Sequence, residues 1–390
     1  MRLCAVKEIE ENMIMGKSLY DAKGQLLLGA GYRLTKKIKS KIIKRGHNHI
    51  YIMEEGTDDV IPQDIISDQI RLLASSILID KVEEIQKITQ FEDMTHDKAL
   101  KLLKDGHFKK INISSDMKNM VDEIIKDIST AGTKFMNTIM LKTKDTYFID
   151  HAINSTVLAI LIAQKYGFKR SEITRLALGT FLHDIGKITI EQLKDHDNPK
   201  KAKEYYLEHS TFGYLLLKDS PNISPVEAQI VNQHHEYQNG TGFPIGLFGQ
   251  NLPPINIENR FTKGKIFRFA EICCVANAYD NMVMNPLNKK QMEPQDVLKE
   301  LILESGKKYN MDIVKTLLEI VPAFPVGAFL KIINSSNSAL VGSVGVVAKI
   351  NEKYLNKPFI IITRDKYMKK VKPDIIDTSK LQDVKLKLIL

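Results

Sequence analysis

Thr180-Phe181-Leu182-His183-Asp184-Ile185-Gly186-Lys187 is the stretch that decides how the rest of this chain is read. An imidazole and a carboxylate stand side by side at the end of an apolar run. Together they suit a first-row divalent metal. Lys187 follows Asp184 by three residues, so on a continuing helix the two share a face. A cation beside a metal suits a phosphate substrate. Taken alone, the pair is equally compatible with a buried His-Asp hydrogen bond.

The other histidines decide between these readings. Of ten in the chain, six fall between residues 151 and 235: His151, His183, His196, His209, His234 and His235. Five have apolar neighbours at helical spacing. His151 opens a stripe with Ile153, Val157, Ile160 and Leu161, and His183 closes one with Ile173, Leu176, Ala177 and Phe181. His209 lies among Tyr205, Phe212 and Leu216. His234 continues Val226 and Ile230, and His235 continues Ala228 and Val231. A histidine on a buried stripe must find a partner. Five of them on four successive helices, with an aspartate among them, point to a shared metal site. His196 belongs to a polar turn, Lys194 to Pro199, and is left out.

The 390 residues suit two or three domains. The three cysteines, Cys4, Cys273 and Cys274, have no zinc-cage spacing and fit a reducing cytoplasm. The N-terminus mixes charged and apolar residues without a signal-peptide core. No apolar run approaches the ~20 residues of a membrane helix. The formal charge of +9 reflects lysines scattered among acidic neighbours, without base-stacking aromatics. It therefore indicates a solvated surface, and DNA or RNA binding is not expected.

Along the chain, residues 1–60 read as a small α/β module. Two short strands flank Asp21-Ala22-Lys23-Gly24, a lysine-rich helix follows Leu34-Thr35, and His49–Ile52 adds a strand. Glu54 to Asp59 reads as a linker. Residues 61–114 are connecting helices. Ile66, Ile70, Leu73, Ile77, Val82 and Ile85 form a stripe that packs on its own chain or on a second copy as a homodimer. In residues 115–322, Ser171 is the expected N-cap before Ile173, and Ser224-Pro225-Val226-Glu227 is a capping box. The glycine-rich Glu236–Pro244 loop, directly after His234-His235, is expected to line a substrate. Residues 323–390 are β-rich, with strands expected over 326–333, 340–350 and 359–363. The expected architecture is mainly α, with a small N-terminal α/β module and a small C-terminal β-rich domain.

The order His151, His183-Asp184 with Ile185-Gly186-Lys187, His209, His234-His235-Glu236 and Gly242-Phe243-Pro244 resembles the HD-GYP family. These are phosphodiesterases of the HD superfamily that hydrolyse cyclic di-GMP. The resemblance covers roughly residues 115–322 and rests on the combined pattern. It implies a helical HD-type bundle and two metal ions, commonly iron or manganese. It implies His151, His183, Asp184, His209, His234 and His235 as ligands, with Asp184 bridging. Lys187 matches the family's phosphate-contacting lysine, and Gly242, Phe243 and Pro244 the substrate-lining motif. The flanking segments look like the modules often attached to such domains in bacteria, and signalling protein partners are expected.

The sequence departs from that pattern in four places. Phe243 replaces the motif tyrosine. Asn277 stands where a last aspartate ligand is usual, and Asp280, three residues on, is the alternative donor. Lys289 and Lys290 replace phosphate-binding arginines, which removes bidentate contacts. Tyr147 precedes His151 by one turn, where three-metal members carry a glutamate, so two metals are expected. The expected reaction is hydrolysis of cyclic di-GMP to pGpG or GMP by a bridging hydroxide between two ions. A receptor with weak or no turnover, and a phosphohydrolase acting on another nucleotide, are the alternatives.

Overall fold

The computed structural model describes residues 1–21, 24–108, 111–113, 115–132, 136, 142–143, 146–193, 199–257, 261–283, 285 and 292–389. In the N-terminal module, β1 (Arg2–Ala5) is followed by a hairpin of β2 (Leu19–Tyr20) and β3 (Leu26–Leu28). Helix α1 (Lys36–Lys44) comes next, then β4 (His49–Ile52), which pairs antiparallel with β1. The Thr35 side chain accepts from Ile38 N at 3.3 Å and starts α1. Cys4, Val6, Met15, Leu34, Ile42 and Ile50 form this module's small core.

Three helices lead into the bundle: α2 (Asp68–Thr89), α3 (His96–Lys104) and α4 (Ser115–Ala131). Of the stripe, Ile66 and Ile85 are buried in the same core as α4 and the helices that follow, as are Ala74 and Leu78 beside the stripe, and Ile70, Ile77 and Val82 pack against it. Leu73 and Ile88 remain exposed.

The bundle continues with α5 (Tyr147–Lys165), α6 (Arg170–Phe181), α7 (Ile185–Ile190), α8 (Pro199–Leu217) and α9 (Pro225–Gln233). It closes with α10 (Arg268–Met282), α11 (Pro294–Leu303) and α12 (Met311–Leu318). Residues 151–163 of α5 are all buried, so this helix is covered on every side. Helices α6 and α10 pack against it. Ser224 N donates to the Glu227 carboxylate at 2.9 Å, part of the capping box expected for α9. The cap of α6 differs from expectation. Its N-cap is Lys169, whose N–H donates to Glu172 at 3.1 Å, so Ser171 falls inside the first turn.

Helices α7 and α8 touch backbone to backbone. A Cβ on Gly186 would lie 1.9 Å from the His209 carbonyl oxygen, so only glycine allows this approach. The contact carries His209 up to Asp184.

The C-terminal strands are β5 (Phe329–Asn334), β6 (Val344–Lys349), β7 (Phe359–Arg364), β8 (Lys370–Asp377) and β9 (Lys385–Leu388). They form one antiparallel sheet in the order β8-β7-β6-β5-β9. The two edge strands were not expected from the sequence. The segment read as a linker is in fact held at both sides. Glu54 accepts from Arg2 and from Arg364 of β7, each at 2.7 Å. The Met1 ammonium donates to Thr57 O at 2.8 Å.

Candidate metal centre

Helices α5, α6, α8 and α9, with the turns that follow α6 and α9, deliver the histidines to one point. His151 lies on α5, His183-Asp184 in the turn between α6 and α7, His209 on α8, and His234-His235 just past the end of α9. All six side chains are buried. Their ligand atoms fall into two groups, Asp184 with His209, His234 and His235, and Asp184 with His151 and His183.

Asp184 is common to both groups, and its two oxygens divide between them. Oδ1 lies 3.3 Å from His209 Nε2 and 3.7 Å from His234 Nε2. Oδ2 lies 3.6 Å from both His151 Nε2 and His183 Nε2. One carboxylate thus faces two imidazole sets on opposite sides.

The tautomers follow from the other ring nitrogen. His183 Nδ1 donates to Thr180 O at 2.6 Å, His234 Nδ1 to Val231 O at 2.8 Å, and His209 Nδ1 to Tyr206 O. Each acceptor is the carbonyl three residues earlier. His151 Nδ1 donates to Asp280 Oδ2 at 2.7 Å. A neutral imidazole has one N–H, and here it is spent on Nδ1. The Nε2 atoms therefore carry lone pairs. Yet His151 and His183 bring theirs to 3.1 Å, and His209 and His234 to 3.2 Å. Facing lone pairs repel unless they share a cation. Asp184 Oδ1 and His235 Nε2 are moreover buried without hydrogen-bond partners. The residues present fit a pair of metal ions on chemical grounds.

Protonation states agree with that use. Burial pushes the His183 and His235 imidazoles well below their ordinary range and His234 down to about 4. Burial opposes ionisation of Asp184, but the Lys187 ammonium and the His183, His209 and His234 imidazoles together hold the carboxyl well below its usual value. Metals take neutral imidazoles and an anionic carboxylate. Lys187 Nζ lies 2.5 Å from Asp184 Oδ2 and 5.6 Å from the centre of the Tyr206 ring, partly exposed.

The two candidate donors on α10 are placed differently from the histidines. Asp280 approaches His151 from the Nδ1 side, away from the Nε2 atoms. Its Oδ2 also pairs with Lys142 Nζ at 3.0 Å, and its Oδ1 accepts from Asn154 Nδ2 at 3.1 Å. A carboxylate holding the far nitrogen of a histidine orients the ring and raises its basicity. Asn277 is buried, and its Oδ1 accepts from Asn281 Nδ2. Tyr147 stacks on His151 with ring centres 5.6 Å apart, and its hydroxyl meets Asn281 and Asn285.

The loop after His235 is drawn tight by Glu236. This buried carboxylate accepts from Ile245 N and Leu247 N, both at 2.7 Å, and from Gly246 N at 3.2 Å. A Cβ on Gly242 would lie 2.3 Å from Tyr237 N. Phe243 N donates to His235 O at 3.1 Å, and its ring stacks on His235 with centres 4.5 Å apart. Phe243 and Pro244, joined by a cis peptide, therefore border the metal pocket. Lys289 and Lys290, like His196, lie outside the described residues.

Sequence reasoning missed Lys142, for which no local pattern exists. Asn154 was legible in principle, one turn beyond His151 on the same face. Cys273 and Cys274 are buried core residues with thiols pushed up by burial.

The HD domain model matches residues 148–282, which run from α5 through α10. A cyclic di-GMP phosphodiesterase of Pseudomonas aeruginosa is 21% identical over 279 residues, covering 71% of this chain and 62% of its own length. A cyclic di-GMP phosphodiesterase of Thermotoga maritima is 28% identical over 163 residues, covering 41% of this chain and 40% of its own length. The chain thus matches about two-fifths to three-fifths of the length of these curated relatives. A solved structure, an HDG"Y"P protein from Bdellovibrio bacteriovorus, aligns with a TM-score of 0.40 at 16% identity, over 81% of this chain and 97% of that one. No described helix is long and apolar enough to cross a membrane. The HD domain thus lies over the helices that carry both imidazole sets, and the chain is similar to cyclic di-GMP phosphodiesterases.

Proposed function

We propose that this protein is a metal-dependent phosphodiesterase that hydrolyses cyclic di-GMP to pGpG or GMP. The observation that carries the reading is the division of Asp184, with one oxygen toward each imidazole set. His151, His183 and Asp184 Oδ2 would hold one ion, and His209, His234, His235 and Asp184 Oδ1 the other. Bound there, two divalent ions, iron or manganese, acidify water and polarise a phosphate. The names of the relatives from Pseudomonas aeruginosa and Thermotoga maritima support the substrate.

The chain's own residues prepare the rest. Lys187, partly exposed beside Asp184, contacts a non-bridging phosphate oxygen and offsets its charge. Asp280 fixes the His151 ring and keeps its Nε2 free of a proton. Gly242 lets the loop pass close to His235, and Phe243 with Pro244 forms the apolar wall against which the nucleotide rests. Lys289 would add a single-point phosphate contact. Water adds to phosphorus in line, and the ribose 3′ oxygen leaves.

The two sites are unequal. The His151 side has three protein donors and the His209 side four. Asp280 is committed to His151, Lys142 and Asn154, so it does not make up for Asn277. This asymmetry favours modest turnover over either full activity or a silent receptor. A cytoplasmic location goes with this substrate. A homodimer along α2 would have Leu73 and Ile88 left to bury, and signalling partners would meet the N-terminal module. Product analysis with cyclic di-GMP and with a second cyclic dinucleotide tests the reading. No hydrolysis of cyclic di-GMP by the metal-loaded protein would refute it.

A further inference from the structure

A cavity of about 180 Å³ lies where the N-terminal module meets α2 and α5, apart from the metal pocket. Leu19, Ile50, Leu72 and Ile149 supply apolar wall. Asp21, Asp64, Asp68 and Asp150 line it against Lys17 and Arg71. Lys17 pairs with Asp68 at 3.4 Å and Arg71 with Asp64 at 2.6 Å. Asp150 has the Thr146 hydroxyl as its hydrogen-bond donor, and Arg71 and Lys142 stand near enough to favour its charge without, among the described residues, forming an ion pair with it.

A second, independent observation points to a ligand. Tyr51 of β4 lines the same cavity at 6% exposure, and its hydroxyl has no hydrogen-bond partner. Burial, and then the Asp64 carboxylate, push its ionisation up, so the hydroxyl remains a donor in want of an acceptor. A buried donor left unpaired costs about 1–3 kcal/mol, which a ligand oxygen would recover. At roughly 10–15 Å³ per water-sized site, the cavity has room for on the order of ten non-hydrogen atoms.

We propose that this cavity binds a small organic ammonium with an apolar body and a hydrogen-bond acceptor, and that its occupancy is coupled to His151. The ammonium meets Asp150, the acceptor meets Tyr51, and the body fills the apolar wall. Coupling runs through an unbroken polar chain. Arg71 Nη1 donates to Asn154 Oδ1 at 3.0 Å, Asn154 Nδ2 to Asp280 Oδ1 at 3.1 Å, and His151 Nδ1 to Asp280 Oδ2 at 2.7 Å. Asp150 itself precedes His151 on α5. Linkage is reciprocal, so metal must alter ligand affinity as ligand alters metal affinity. The coupling rests on His151 being a metal ligand, whereas the binding does not.

Calorimetric titration of the full-length, metal-free protein with 2-phenoxyethylamine tests the binding. The neutral 2-phenoxyethanol and the anionic phenoxyacetate serve as comparisons of similar shape. The amine should bind about ten-fold more tightly than either, a difference of ~1.4 kcal/mol. Leu72→Trp should abolish binding by filling the cavity, and Tyr51→Phe, which keeps the ring, should weaken it several-fold. Equal binding of the three probes, or undiminished binding by both variants, would overturn the site. The amine should also bind with different affinity once the protein is loaded with Mn²⁺, and equal affinities would overturn the coupling. A protein that takes up no Mn²⁺ would overturn both the coupling and the proposed metal centre, leaving the amine titration to decide the cavity by itself.

Discussion

Replacing Asp280 by asparagine changes one oxygen to an amide nitrogen at the centre of a network whose polarity is fixed. Arginine and lysine can only donate. Arg71 therefore forces Asn154 to accept at Oδ1 and to donate from Nδ2 to Asp280 Oδ1. Lys142 and His151 both donate to Oδ2. Every neighbour of this carboxylate is a donor. Wherever the new NH₂ turns, it meets another one. Turned toward Asn154, it leaves two amide donors face to face. Turned toward His151, it drives the imidazole proton to Nε2 and removes the lone pair that faces His183.

The magnitude follows from the burial. An unsatisfied buried donor costs about 1–3 kcal/mol. The Lys142 side chain is fully buried and would lose its counter-charge, and breaking a buried pair costs about 3–5 kcal/mol. Taking about 3 kcal/mol as the lower figure, at ~2 °C per kcal/mol for a large domain, Asp280→Asn should lower Tm by roughly 6 °C or more. Loss of an outer hydrogen bond to a ligating histidine weakens metal binding by about 10–100-fold. Calorimetric melting of metal-free protein reads the first effect, and Mn²⁺ titration reads the second, on the His151 side only. A variant that melts within ~1 °C of wild type and binds both ions unchanged would refute the assignment of Asp280 as the residue that positions His151.

Three further outcomes are expected. Lys187→Ala should slow hydrolysis by on the order of 10²-fold, as for loss of one electrostatic stabiliser, without loss of metal; parallel metal loss would mean the ammonium is structural. Asn277→Asp should tighten the His151-side ion and raise activity at limiting metal, because an anionic oxygen replaces a neutral one beside a dication; unchanged titrations would place residue 277 outside the site. Glu271, which accepts from Gln238 and Asn310 in the core, has its carboxyl pushed up to about 7 by burial. Its folded pKa exceeds its unfolded one, so the folded state binds more protons between the two. The contribution to stability is whole below about pH 4 and is lost as pH rises to about 7. Glu271→Gln should flatten that part of the pH–stability curve relative to wild type, and identical curves for the two proteins would contradict the burial argument.

The histidine cluster was legible because its chemistry is rare. Five imidazoles at helix-face positions have few uses other than a metal, and His151, His183, His209, His234 and His235 all meet at Asp184. The order of helices was legible from apolar spacing and from the Ser224 cap. The sheet edges were less so. Strand β8 carries Lys370, Lys372 and Asp374 on an exposed edge, and the lysine–leucine alternation of β9 lasts only four residues, so neither has the apolar run that marks β6 and β7. Asp280 was legible as a carboxylate near the site, but its role depends on which side of His151 it approaches, and spacing along one helix does not contain that. Lys142 pairs with Asp280 across 138 residues, so nothing in its own neighbourhood announces it. Likewise, Glu54 to Asp59 has the composition of a linker, and only residues distant in sequence, Met1, Arg2 and Arg364, reveal that it is clamped.

The central claim is that Asp184 serves two ions at once. Elemental analysis of the purified protein after anaerobic reconstitution with Fe²⁺ or Mn²⁺, together with the His234→Ala/His235→Ala double variant, tests it most directly. The account predicts about two ions per chain in the wild type and about one in the variant, whose His151, His183 and Asp184 Oδ2 remain. A wild-type protein that stays metal-free, or that binds a single ion which the double variant retains in full, would contradict it.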